Sequence, residues 1–205
     1  MDVKVCGIRR YEDARLALDE GAWALGFVFH RPSPRYIDPA EAGAIVRRLP
    51  RETLAVGVFV DWAAEELREA VRAARLRGVQ LHGREDLAYA RATGCELVIK
   101  ALRTSPDFRP SSVLEYPGCR ILLDAFAPSA PGGTGTRADW TVARAAAALA
   151  PILLAGGIGP ENAAEAARAV RPAGIDVSSG IEAAPGVKDP EKVRALFRAL
   201  RDLGL

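Results

Sequence analysis

Residues 151–162 read PILLAGGIGPEN: an apolar run (PILLAG, 151–156) passes through bare glycines to Pro160, where a stretch of helical period begins and continues to Val170. A short apolar run bounded by turn residues and followed by a helix is a buried strand heading a strand–helix unit. The unit recurs in both directions. Downstream stands GIDVSS (174–179), with a helix candidate from Pro190 to Leu203. Upstream stand DVKVC (2–6), ALGFVF (24–29), TLAVGVFV (53–60), GVQLH (78–82), ELVIKAL (96–102) and CRILLDA (119–125). Between these runs helical period covers Tyr11 to Glu20, Pro39 to Leu49, Trp62 to Leu76, Arg84 to Thr93 and Ala138 to Leu149. Asp38 before Pro39 and Asp61 before Trp62 are candidate N-caps. Ser105 to Tyr116 is broken by prolines, so a short or distorted helix is expected there.

Eight such units imply parallel strands covered on both faces, and eight is the number that closes a ring. An open doubly wound sheet would place G-x-G-x-x-G after its first strand; here the first turn is CGIRR (6–10). The expected fold is therefore α/β, a single-domain (β/α)8 barrel over residues 1–205, with short loops because that length is low for the fold.

Composition narrows the function. With 49% apolar and 26% charged residues the chain reads as a globular domain, and a net charge of +2 without a basic stripe makes nucleic acid an unexpected partner. No apolar run approaches the ~20 residues of a membrane span, and MDVKVCGIRR lacks a signal-peptide layout, so no membrane partner and a cytoplasmic location are expected. Three cysteines (Cys6, Cys95, Cys119) suggest neither a disulfide framework nor a metal site. Asn162 and Gln80 are the only residues of their kinds, a bias that heat adaptation or a GC-rich genome would each produce.

In a barrel of this kind chemistry sits at the C-terminal ends of the strands. Alternation puts Lys4 and Cys6 on one face of the first strand. Cys6 is either a small buried hydrophobe or, with the Lys4 ammonium depressing its pKa, a thiolate able to act as base. Asp124 ends the sixth run, either anchoring a loop or serving as a general acid whose pKa is raised by the preceding leucines. Gly156 and Gly157 where the seventh run ends, and Ser179 and Gly180 where the eighth ends, present amides where this fold recurrently binds phosphate; glycine turns alone would look the same. Arg35, in the proline-stiffened HRPSPRYI (30–37), suits a carboxylate or is a solvated loop charge. His82 ends the fourth run in a structural or a catalytic role. Pro131 to Gly135 is a mobile lid or a plain flexible loop.

The stretches KVCGI (4–8), GFVFHRPSPRYI (26–37), VGVFV (56–60), VQLHG (79–83), LLDA (122–125), GGTG (132–135), LAGGIGPEN (154–162) and DVSSGIE with PGVKD (176–189) resemble, in order and over nearly the whole chain, the phosphoribosylanthranilate isomerases. The resemblance implies an enzyme of tryptophan biosynthesis that performs an Amadori rearrangement. N-(5'-phosphoribosyl)anthranilate would become 1-(2-carboxyphenylamino)-1-deoxyribulose 5-phosphate. It implies Asp124 as acid, Cys6 as base, Arg35 on the anthranilate carboxylate, Gly156, Gly157, Ser179 and Gly180 on the phosphate, and His82 and Asp176 in support. No cofactor is expected, because an aldose-to-ketose shift needs only an acid, a base and positioning. The partner is a small phosphorylated substrate; the family includes monomers and dimers, so a homodimer stays open. Two departures concern local geometry: Arg9 stands where a Thr commonly follows Cys-Gly-Ile, and His30-Arg31 replaces a Tyr-Pro-Lys-like approach. The alternatives are a histidine-pathway aminoaldose isomerase, which resembles this family but carries an aspartate where Cys6 stands, and a non-catalytic phosphate-binding barrel.

Overall fold

The computed structural model describes residues 1–124 and 140–203. Eight parallel strands close a barrel in chain order: β1 (Asp2–Cys6), β2 (Ala24–Val28), β3 (Ala55–Phe59), β4 (Gly78–Leu81), β5 (Leu97–Arg103), β6 (Arg120–Asp124), β7 (Ile152–Ala155) and β8 (Gly174–Val177). β1 seals the ring by pairing with both β2 and β8. All eight runs are strands within a residue or two of their expected limits, because uninterrupted apolar stretches suit strands covered on both faces.

The outer layer is α1 (Tyr11–Asp19), α2 (Pro39–Val46), α3 (Ala64–Ala74), α4 (Leu87–Ala92), α5 (Thr141–Ala147), α6 (Ala163–Val170) and α7 (Pro190–Arg201). Where prolines break the period after β5, a single 3₁₀ turn (Pro110–Leu114) replaces the helix. After β8 come a 3₁₀ turn (Ser179–Ile181) and an antiparallel hairpin, β9 (Glu182–Ala184) and β10 (Val187–Lys188). The lid reading of Pro131 to Gly135 falls outside the described residues.

Helix starts follow local chemistry, with corrections. Asp38 caps α2 by accepting from the Ala40 amide at 2.8 Å, with Pro39 in the first turn. Asp61 caps nothing: it turns left-handed (φ 53°), and its carboxylate accepts from the Arg84 amide at 2.7 Å. α3 therefore starts later, with Ala63 at its cap. α4 starts after Asp86, which accepts from Tyr89 N at 2.8 Å, and α6 starts only at Ala163 because Pro160 to Asn162 form a turn. At α1 the residue at the cap is Arg10, one past the position of the missing threonine, and its side chain makes no capping hydrogen bond.

The period of two divides each strand between two cores. Ala24, Val56, Ile99, Leu122 and Leu153 fill the barrel interior, while Leu25, Phe27, Phe59, Leu123 and Leu154 pack outward on the helices. Each such leucine or phenylalanine contributes about 1.5–3 kcal/mol by leaving water. Above the interior layer Cys6, Val28 and Val58 form a small cluster of their own. Gly26 makes room for the end of β1, since a Cβ there would lie 2.7 Å from Cys6 Sγ and 3.1 Å from Lys4 Nζ. On the outer face buried Lys100 reaches Glu85 at 3.0 Å and the Gly83 carbonyl at 2.8 Å. Glu85 also accepts from the Asp61 and Gly83 amides (2.8 and 2.9 Å), pinning the loops after β3 and β4 together.

Candidate active site

A cavity of about 440 Å³ opens at the C-terminal ends of the strands, and every strand or the loop after it contributes to its wall. Of the residues singled out above, Cys6, Arg35, His82, Asp124, Gly156, Gly157, Asp176 and Ser179 line it. Gly180 does not. It packs against the Ile158 carbonyl and lies close enough to Gly159 that a Cβ would come within 2.8 Å of the Gly159 Cα, so it lets the two late loops touch. A larger hollow of about 680 Å³ lies beside α2 and α3, bordered by Trp62, Glu66 and Glu69, and contains none of these residues.

Cys6 is buried at the end of β1, and Lys4, two residues back on the same face, is wholly buried. Lys4 Nζ donates to Asp176 Oδ1 at 2.6 Å, from the neighbouring β8. Burial disfavours the lysine's charge, but Asp176 and Cys6 outweigh it and its pKa ends above the ordinary value. The expectation that Lys4 depresses the thiol pKa is corrected in its net result. Burial pushes the Cys6 thiol up, Asp176 adds to the rise, and the pull of Lys4 and Lys188 does not reverse it. Asp124 stands half-buried at the end of β6 in the wall of the same cavity, its backbone carbonyl accepting from the Thr104 amide at 3.1 Å.

His82 is held down to about pH 4 by burial and by the nearby Arg103 guanidinium, so it is neutral at physiological pH. Its Nδ1 lies 2.9 Å from Gln80 Nε2; with the amide in that orientation the ring proton is on Nε2. Gln80 Oε1 is buried without a hydrogen-bond partner among the described residues.

Arg35 crosses the end of β1, its Cδ 2.8 Å from where a Cβ of Gly7 would stand. Gly7, at φ +80°, thus admits an arginine side chain rather than a ligand directly. The guanidinium is gripped by Glu182: Nε donates at 2.9 and 3.1 Å and Nη2 at 2.6 Å. Burial would raise the Glu182 carboxyl, yet Arg35 and Lys188 bring it below its ordinary value. In the β7 loop Asn162 braces the backbone, Oδ1 accepting from Gly159 N and Nδ2 donating to the Gly157 carbonyl, both at 2.9 Å. The Gly157 amide has no acceptor among the described residues and is available to an anion.

Sequence reasoning passed over Gln80, Arg103, Glu182 and Lys188. Counting back two residues from His82 would have placed Gln80 on the inner face, and Arg103 ends β5 as Asp124 ends β6. Glu182 and Lys188 carry no such signal, since only the hairpin brings them together.

The family model for N-(5'-phosphoribosyl)anthranilate (PRA) isomerase matches residues 3–199. A relative from Trichlorobacter lovleyi, an N-(5'-phosphoribosyl)anthranilate isomerase, is 46% identical over 201 residues, covering 98% of each chain. The crystal structure of the Thermus thermophilus phosphoribosyl anthranilate isomerase is 44% identical, covers 99% of this chain and 100% of its own, and superposes with a TM-score of 0.88. Another phosphoribosyl anthranilate isomerase, solved with reduced 1-(o-carboxyphenylamino)-1-deoxyribulose 5-phosphate, is 36% identical over 99% of this chain and 100% of its own, with a TM-score of 0.87. With the barrel closed and thiol, carboxyl, arginine and glycine loops gathered at its mouth, the chain belongs to the N-(5'-phosphoribosyl)anthranilate isomerase family, enzymes of tryptophan biosynthesis.

Proposed function

We propose that this cavity performs the family's rearrangement with Asp124 as general acid and Cys6 as general base. The observation that supports it most is that both side chains, from strands three apart around the ring, line one space of a size for a phosphorylated aryl pentosylamine. Asp124 gives its proton to the ring oxygen as the C1'–O4' bond breaks, and the nitrogen lone pair forms the Schiff base. Cys6, as thiolate, takes the proton from C2', and that electron pair moves through C1' to nitrogen, leaving the enolamine. Loss of the C2' hydroxyl proton and gain of one at C1' complete the ketose.

A thiol held above its ordinary pKa is a minority thiolate at neutral pH but a strong base once formed. Arg35 takes the substrate carboxylate, and the amides around Gly156, Gly157 and Ser179 take the phosphate. Anchoring both ends sets C2' between base and acid. Asp176 keeps Lys4 charged, and neutral His82 offers a donor to the sugar.

The fluorescence decay of phosphoribosylanthranilate tests the assignment. Cys6→Ala and Asp124→Asn should each lower kcat by ~10² to 10⁴ while product still binds. Arg35→Ala should chiefly raise KM. Near-normal turnover in either of the first two removes that residue from the mechanism.

A further inference from the structure

We propose that Glu182, braced by Lys188, is a specificity-determining positioning residue: it holds the Arg35 guanidinium so that the edge formed by Nη1 and Nη2 is presented to the ortho-carboxylate of the substrate's N-aryl ring. This rests on the reading of Arg35 as carboxylate anchor. A guanidinium offers a carboxylate two forked edges, one made by Nε and Nη2, the other by Nη1 and Nη2. Glu182 fills the first, with Oε1 2.9 Å from Nε and Oε2 2.6 Å from Nη2. The second edge carries no hydrogen bond among the described residues. Arg35 lines the cavity and its side chain is 23% exposed, so a carboxylate there would meet a fork already oriented.

The brace is itself buried. The Glu182 side chain is 4% exposed and that of Lys188 0%, with 3.0 Å between Oε1 and Nζ. The hairpin sets this up, pairing Lys188 with Glu182 across β9 and β10, and the Gly186 amide donates to the same Oε1 at 3.2 Å. Two cations share one carboxylate, so one positive charge is left over, and Arg35 is the member that reaches the cavity. Lys188 Nζ also donates to the carbonyls of Cys6 (2.6 Å) and Ser178 (3.2 Å). One ammonium therefore ties the carboxylate anchor to the strand end bearing the base and to the start of the phosphate loop. Lysine in place of Arg35 would keep the charge and lose both forks.

Glu182→Gln isolates the idea. With its oxygen kept toward Lys188 and Gly186, its amide faces Nη2 donor to donor and the side-edge fork is lost. The probes are two unreactive amines made by reductive amination of ribose 5-phosphate, one with anthranilate and one with aniline, titrated by calorimetry. We expect Glu182→Gln to weaken the anthranilate ligand about tenfold and the aniline ligand less than about twofold. Equal weakening of both, or none, overturns the proposal. Arg35→Ala separates the two levels. If it fails to discriminate between the ligands, the anchor reading is wrong. If it discriminates and Glu182→Gln does not, the anchor stands and the brace falls. Where the glutamine variant does not fold, Glu182→Asp, which keeps the charge beside Lys188 but withdraws it from Arg35, is held to the same outcomes.

Discussion

At Cys6, burial and charge act against each other. Lys4 favours thiolate, but a sulfur excluded from water resists ionising, and the thiol titrates above its ordinary value. With the thiolate as the proposed base, kcat/KM should climb with pH through that ionisation. Lys4→Met, which removes the ammonium, should carry the limb to still higher pH; a limb that stays in place would remove Lys4 from the activation of Cys6. His82 gives a signed prediction for stability. Its pKa is about 4 folded against 6.5 unfolded, so between those values the unfolded chain binds a proton that the folded chain refuses. The stabilisation is present above pH 6.5 and is lost as pH falls toward 4, by up to about 3 kcal/mol. Urea unfolding at the two ends of that range should show a smaller drop in His82→Gln; an equal drop would assign the loss to other groups.

Among the elements, α2 and α3 touch through Gly43. Replacing a mid-helix glycine by alanine ordinarily gains about 0.5–1 kcal/mol. Here the added Cβ would press on the Ala73 carbonyl and stand 3.2 Å from the Ala74 Cα. We expect Gly43→Ala to destabilise by ~1–3 kcal/mol in denaturant unfolding, with KM unchanged. A stabilised variant would show that the helices can part at little cost. The same principle of tertiary override explains Asp61. As a cap candidate it is sound, but Glu85 and Arg84 pull it into a link between loops, and α3 begins with a residue that cannot cap.

Over the whole molecule, every strand end meets one cavity, so a ligand that touches several strands stabilises the ring that holds them. Product at a hundred times its Kd should raise stability by about 2.7 kcal/mol, read as a higher Tm. Asp124→Asn should keep that increment, and Arg35→Ala should lose most of it at the same concentration. An increment unaffected by Arg35→Ala would place the binding energy elsewhere.

Much of this was legible in the chain. The eight apolar runs determine the strand count and hence the ring, because strands buried on both faces admit few polar residues. Alternation put Lys4 beside Cys6, and position at strand ends picked out Asp124 and His82, while Asp176 came only with the family resemblance. What only the tertiary structure decided are relations between residues distant in sequence. Glu182 meets Arg35 across 147 positions, and Lys188 meets the Cys6 carbonyl across 182. Gly180 turns from the cavity to fit against Ile158, and the net shift of Cys6 runs opposite to its nearest charge. A local pattern records which face a side chain takes; desolvation and ion pairing depend on what the folded chain brings to that face.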